Sequence, residues 1–323
     1  MLDILKIILP ILTMLLIGRM CGHFGFISPE GIKNVKWLIT SIFLPVALFH
    51  GIGTGSYSFY TALVFVMMFV VEGILLLGGF GLKRFFDKKR KPYVPFMMTI
   101  FEGGMLAYPL YMNLCGSENL AKIAILDIAN AVFCFVVLLP IIRVQEDGVQ
   151  PTAGALIKDA FSSPTFVGTM LGVVVGATGL LNAFLQTPAG GVYQSIESMV
   201  AAPLSPLILI VLGYEMSFKA DLTKVCAKAV VLRFAMNMVL MIPVYFLIGL
   251  MFPRDKLALT AVLIYFIATP SLSIPTFIKK EEGAEFLSNS NSLFIILTLA
   301  AYIVIAIFLH PYDAATQTVV FST

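Results

Sequence analysis

Charge is scarce in this sequence: Asp, Glu, Lys and Arg make up only 12% of its 323 residues. Soluble domains carry about a quarter, so a water-facing surface of ordinary extent cannot be built from these side chains. The four cysteines, Cys21, Cys115, Cys134 and Cys226, are widely separated, which removes both a C-x-x-C metal or redox pair and a readable disulfide framework. The three histidines, His23, His50 and His310, are scattered. No H-E-x-x-H, G-x-S-x-G or Walker loop is present. Those absences argue against a metalloprotease, a serine hydrolase and ATP-driven transport by this chain alone. No nucleophile stands at a useful spacing from a base, so the sequence is not read as an enzyme, and no cofactor or metal is expected.

What is abundant is apolar surface. Hydrophobic residues reach 59% and the mean hydropathy is +0.97. Apolar runs of 18 or more residues recur along the whole chain, each long enough to cross a hydrocarbon layer about 30 Å thick. The first run, Leu2 to Gly22, contains Lys6 and Arg19, lacks a small-residue cleavage site and is followed by further spans; it reads as a retained helix rather than a signal peptide. The pattern predicts an all-α integral membrane protein with ten transmembrane helices, near 3–22, 34–51, 58–82, 93–114, 120–142, 165–185, 192–216, 228–252, 256–278 and 286–309.

The net charge of +3 hides an asymmetry. With the N-terminus outside, sixteen basic residues face inward, among them Arg19, Lys33, Lys36, Arg143, Lys158, Lys219 and the run Lys83 to Lys91. Only Lys6, Lys122, Arg254 and Lys256 then face outward, and Arg233 falls inside a span. This satisfies the positive-inside rule and places both termini on the non-cytoplasmic side of the plasma membrane. The Lys83 to Lys91 run is a basic loop joining two spans, the ordinary cytoplasmic signal, so no nucleic-acid partner is inferred from it.

The longest polar connection, Gln145 to Ser163, falls between the fifth and sixth spans. It divides the chain into a first five-helix repeat, 1–143, a cytoplasmic linker, 144–164, a second five-helix repeat, 165–310, and a C-terminal tail, 311–323. An odd number of spans per half requires the second repeat to be inverted in the membrane. Faint matches support the repeat. Gly18 and Gly22 correspond to Gly172 and Gly176, each a pair that lets helices approach closely, and Pro45 in span two corresponds to Pro206 in span seven. Gly103-Gly-Met-Leu-Ala-Tyr-Pro109 aligns without gaps on Thr269-Pro-Ser-Leu-Ser-Ile-Pro275, and Asp127-x-x-Asn130 aligns on Ser288-x-x-Asn291.

Proline removes a backbone donor and clashes with the preceding turn, and glycine weakens a helix. Gly103, Gly104 and Pro109 are therefore expected to open span four, and Pro270 and Pro275 span nine. Unwound backbone in a membrane is tolerated where it lines a cavity. Broken helices offer half-helix N-termini that suit an anion and free carbonyls that suit a cation. Intramembrane ionisable groups mark function by default: Glu102 beside the first break, Glu72 in span three, Asp127 in span five and Arg233 in span eight. Arg233 either shares a face with Asn237 or snorkels to the cytoplasmic side. Asn130, Asn237, Tyr265, Thr269, Ser271, Asn289 and Asn291 are candidate neutral contacts. Glu102, a carboxyl out of water, is a candidate to bind and release a proton. Glu197 and Glu215 lie near helix ends and read as structural.

These features together resemble the auxin efflux carrier family. The resemblance covers nearly the whole chain, and its strongest pieces are Phe101-Glu-Gly-Gly-Met-Leu-Ala-Tyr-Pro109, Asp127-x-x-Asn130, the prolines of spans two and seven, and Pro270 with Pro275. Family members are similar in fold to bile-acid symporters and some sodium/proton antiporters, with a scaffold and a transport subdomain that holds the crossing helices four and nine. The resemblance implies alternating access, of elevator or rocking type, for a small organic anion such as a dicarboxylate or an auxin-like carboxylate, with H+ or Na+ as coupling ion and a homodimer in the lipid. Where the family reads Gly-Asn-x-Gly-x-x-Gly-x-Pro, this chain has Glu102 for Asn and Ala107 for Gly. An acid there repels a carboxylate unless it is protonated or paired, which points to proton coupling or a different substrate. A cation/proton antiporter on the same fold, and a receptor or channel, are the alternatives.

Overall fold

The structure is a computed structural model that describes residues 2–55, 57–148, 150–216 and 223–309, without the side chains of residues 2–7. His310, Lys219, the expected tail at 311–323 and the side chain of Lys6 lie outside the described residues. The helices in order are α1 Leu2–His23, α2 Pro29–Leu38, α3 Leu44–Gly53, α4 Phe59–Leu82, α5 Val94–Met98, α6 Tyr108–Cys115, α7 Leu120–Phe133 and α8 Leu139–Asp147. They continue with α9 Ala153–Phe161, α10 Pro164–Ala177, α11 Leu180–Leu185, α12 Pro188–Ala201, α13 Leu204–Glu215, α14 Thr223–Met251, α15 Lys256–Phe266 and α16 Glu281–Phe308. Wider π-type turns join α2 to α3 at Ile39–Phe43, lead into α6 at Gly103–Ala107, and join α7 to α8 at Cys134–Leu138.

Among the described residues, six continuous helical stretches are long and apolar enough to cross a bilayer: Pro29–Gly53, Phe59–Phe85, Ser117–Asp147, Pro188–Glu215, Thr223–Met251 and Glu281–Phe308. A seventh is obtained if α9 and α10, bent by 87°, are taken together. Helix length therefore accounts for six or seven of the expected crossings. The others are short or interrupted. Residues 93–114 form two pieces, α5 and the Gly103–Cys115 segment, and residues 256–278 form α15 and a single 3₁₀ turn, Ile274–Phe277. The expected span 165–185 stops at Ala177 and resumes as the six-residue α11 after Gly179, whose φ of 71° favours a residue without Cβ. The expected linker 144–164 is itself partly helical: α8 runs to Asp147, and α9 occupies nine residues of it.

Helix starts follow local chemistry. Ser28 accepts from Gly31 N–H at 3.0 Å ahead of Pro29, and Asp255 accepts from Ala258 N–H at 2.9 Å at the start of α15. Both arrangements satisfy donors that a helix leaves unpaired at its first turn. Glycines set the tight pairings. Gly18 faces the backbone of Ile210, and Gly213 faces that of Leu15, so α1 and α13 pack backbone to backbone. Gly168 and Gly172 likewise lie on Pro45 and Phe49, which seats α10 on α3. A second group of packed helices comprises α4 with α5 and α7, and α14 with α15 and α16. Its fully buried side chains include Phe96, Phe266, Phe286 and Phe294.

Candidate functional site

The two interrupted segments meet. Phe101 and Pro270 form an antiparallel backbone bridge, and Glu102 N–H donates to Thr269 O at 2.8 Å. The first break lies at Thr99–Glu102, just before the glycines expected to open it. Gly103 and Gly104 instead begin the π-type turn, and Pro109 lies in the resumed helix just after that wider turn. The second break spans Ile267–Ser273 and contains Pro270, while Pro275 starts the 3₁₀ turn beyond it. Ile100 has φ of 38°, a conformation that a β-branched residue adopts only when its surroundings impose it, at about 1–3 kcal/mol.

Side chains satisfy the backbone that these breaks release. Asn130 behaves as a third strand: its Oδ1 accepts from Phe101 N–H at 2.9 Å, and its Nδ2 donates to Phe101 O at 3.0 Å. In the second half, Asn291 Nδ2 donates to Ser271 O at 3.3 Å. Arg233 is fully buried and donates to Thr99 O at 2.8 Å, Ile100 O at 2.7 Å and Met97 O at 3.3 Å. It therefore points inward with Asn237, which donates to Phe266 O at 2.9 Å, and does not snorkel. Thr298 donates to Ile267 O at 2.7 Å. The carbonyls expected to be free for a cation are thus largely occupied by protein donors.

Glu102 links the breaks. Its Oε1 accepts from Met105 N–H at 3.0 Å, capping the half-helix that leads into α6, and its Oε2 accepts from Leu272 N–H at 2.7 Å across the crossing. Asp127 accepts from Tyr265 Oη at 2.6 Å, Tyr108 Oη at 2.7 Å and Asn130 Nδ2 at 2.8 Å. Its carboxylate also lies against Gly103, where any Cβ would collide with it. In all these contacts the carboxyl oxygens act as acceptors. The acid standing where a neutral amide was expected is therefore paired, with backbone donors.

A cavity of about 650 Å³ borders this crossing. Glu102, Gly103, Gly104, Asp127, Asn130 and Ser271 line it, Leu44, Leu48, Phe135 and Phe166 form apolar wall, and Lys33, Lys36 and Arg143 stand among its lining. Lys36 pairs with Glu215 at 2.8 Å, and Arg143 pairs with Asp159 of α9. A second cavity, of about 470 Å³, is lined by Leu272, Pro275, Ser288 and Asn291 and shares Lys33 and Lys36 with the first. Thr269, Pro270, Glu72 and Arg233 line neither of these two cavities, and Pro109 touches only a small apolar void. Glu72 is fully buried, with both oxygens lacking a hydrogen-bond partner. Sequence reasoning passed over Tyr108 and Thr298, whose aromatic ring and short polar group look like ordinary span residues.

No cluster of three or more His, Cys, Asp or Glu able to hold a metal exists among the described residues. Long apolar helices around two broken segments are those of a multi-pass membrane protein, and the family match makes it a membrane transporter. A family model described as "Membrane transport protein" matches residues 3–309, and the chain belongs to that family, the one that includes the auxin efflux carriers. This is a family of transporters, not of enzymes. None of the curated proteins matches the chain.

Proposed function

We propose that this protein is a secondary carrier for a small organic anion, working by alternating access around the crossing at Phe101 and Pro270. The observation that carries this reading is the 650 Å³ cavity: basic groups among its lining, apolar walls, and a floor made by the broken fourth segment. Lys33 draws in a carboxylate, since Lys36 and Arg143 are already paired with Glu215 and Asp159. The walls take its carbon body. The N–H groups of Gly103 and Gly104, at the start of a half-helix with no intrahelical acceptor of their own, take its charge. Asn130, Asp127 and Ser271 complete the floor, and Asn291 with Pro275 borders the second cavity. Because the positive-inside count places Lys33, Lys36 and Arg143 on the cytoplasmic side, this arrangement is open inward.

The ten-span inverted repeat belongs to the same reading. Its support is the reciprocal pairing of α1 with α13 and of α10 with α3, first helix of one half on second helix of the other, together with the two Asn side chains that hold the two breaks. The α1, α3, α10, α13 group is the scaffold. The group around α4, α7, α14 and α16 is the transport subdomain. Coupling to a proton falls to Glu102, since protonating a carboxylate that accepts from both breaks removes an acceptor from the crossing. The test is a melting-temperature screen of the purified protein against mono- and dicarboxylates and amines at several pH values. A carboxylate should raise the midpoint, with a pH dependence that Glu102→Gln abolishes; stabilisation by amines or alkali cations alone would favour a cation/proton antiporter instead.

A further inference from the structure

The carbonyl end of the broken fourth segment already contains a cation. Thr99 O and Ile100 O accept from Arg233 at 2.8 and 2.7 Å, with Met97 O at 3.3 Å. These oxygens belong to the last turn of α5 and the residues just after it, where the helix dipole places partial negative charge. Oxygen-lined ends of interrupted membrane helices are where transporters coordinate sodium. Here the donor comes from α14, 134 residues away in sequence. Phe101 presents its ring to the guanidinium carbon at 4.9 Å, a further cation-attracting surface. The fully buried Glu72 lies on the neighbouring α4 and makes no hydrogen bond to Arg233. A neutral donor would cap these carbonyls without the penalty of burying a charge in a membrane.

We propose that Arg233 is a tethered replacement for a coupling cation: its guanidinium fills the cation position of the crossing, and the protein binds no sodium there. This rests on the carrier reading above and deepens it, since it removes one of the two coupling ions the fold allows. The positioning role follows from the same bonds. Arg233 holds Ile100 in its strained conformation and so keeps Phe101 in register with Pro270.

Melting of the full-length protein in detergent tests this without any substrate. Wild type should show the same midpoint in sodium chloride and in choline chloride at equal ionic strength. Arg233→Ala should melt several degrees lower and be partly restored by guanidinium at low millimolar concentration, but not by equimolar urea, which has the shape and hydrogen-bonding capacity without the charge. A sodium-specific rise in the wild-type midpoint overturns the inference, and so does equal restoration of Arg233→Ala by urea. If Arg233→Ala does not fold, the wild-type comparison decides alone, and Arg233→Lys, which keeps a charge, should fold and stay insensitive to sodium. Failure here leaves carboxylate binding untouched. Failure of carboxylates to shift the midpoint would refute the carrier reading while leaving the guanidinium result readable.

Discussion

Asn130 shows how much one side chain does at the crossing. It takes both hydrogen-bonding groups of Phe101 and also donates to Asp127. Removing it orphans a buried N–H and a buried carbonyl, each worth about 1–3 kcal/mol when left unpaired. Asn130→Ala should therefore lower the melting midpoint of purified protein by many degrees, more than alanine at an exposed polar site such as Gln194. Asn130→Asp should do little better, since it keeps an acceptor, loses the donor and sets a second carboxylate beside Asp127. Glu102→Gln is milder, because an amide still offers one acceptor to Met105 or Leu272; its expected signature is loss of pH dependence with the fold retained.

At the scale of the element, glycine placement separates close packing from mere helix weakening. A Cβ on Gly18 would strike the Ile210 carbonyl, whereas one on Gly73 meets nothing within 4 Å. Gly18→Ala should therefore push α1 off α13 and sharply reduce the yield of folded protein. Gly73→Ala should be neutral or stabilising by up to about 1 kcal/mol, the propensity difference between the two residues in a helix. Size-exclusion profiles of the two variants check both outcomes. The long helices were legible because apolar runs of that length have few other uses, and the two breaks because proline and glycine punctuate them. Their position was less legible. Gly103 and Pro109 look like the break, yet they lie in the resumed helix after it, and the strained residue is Ile100. The contacts of Arg233 could not be read from spacing, because donor and acceptors sit on segments far apart in sequence. The helix α9 was missed because nine residues in a polar connection carry too weak a period to stand out.

For the whole molecule, the distribution of basic residues sets the orientation. The charge count predicts that Lys88 faces the cytoplasm and Lys256 the opposite side. With the native cysteines replaced, Lys88→Cys should react with a membrane-impermeant maleimide only from the inside and Lys256→Cys only from the outside, and the reverse pattern would invert the topology. On the carrier reading proposed above, the α1, α13, α3 and α10 packing is the fixed part and the group that carries both breaks is the moving one. The most direct measurement of the central claim is uptake of a radiolabelled dicarboxylate into proteoliposomes. The account predicts saturable uptake that a folded Asn130→Ala variant loses and that proceeds equally in sodium and in choline. No carboxylate uptake by wild type, together with proton movement driven by an alkali cation alone, would contradict it.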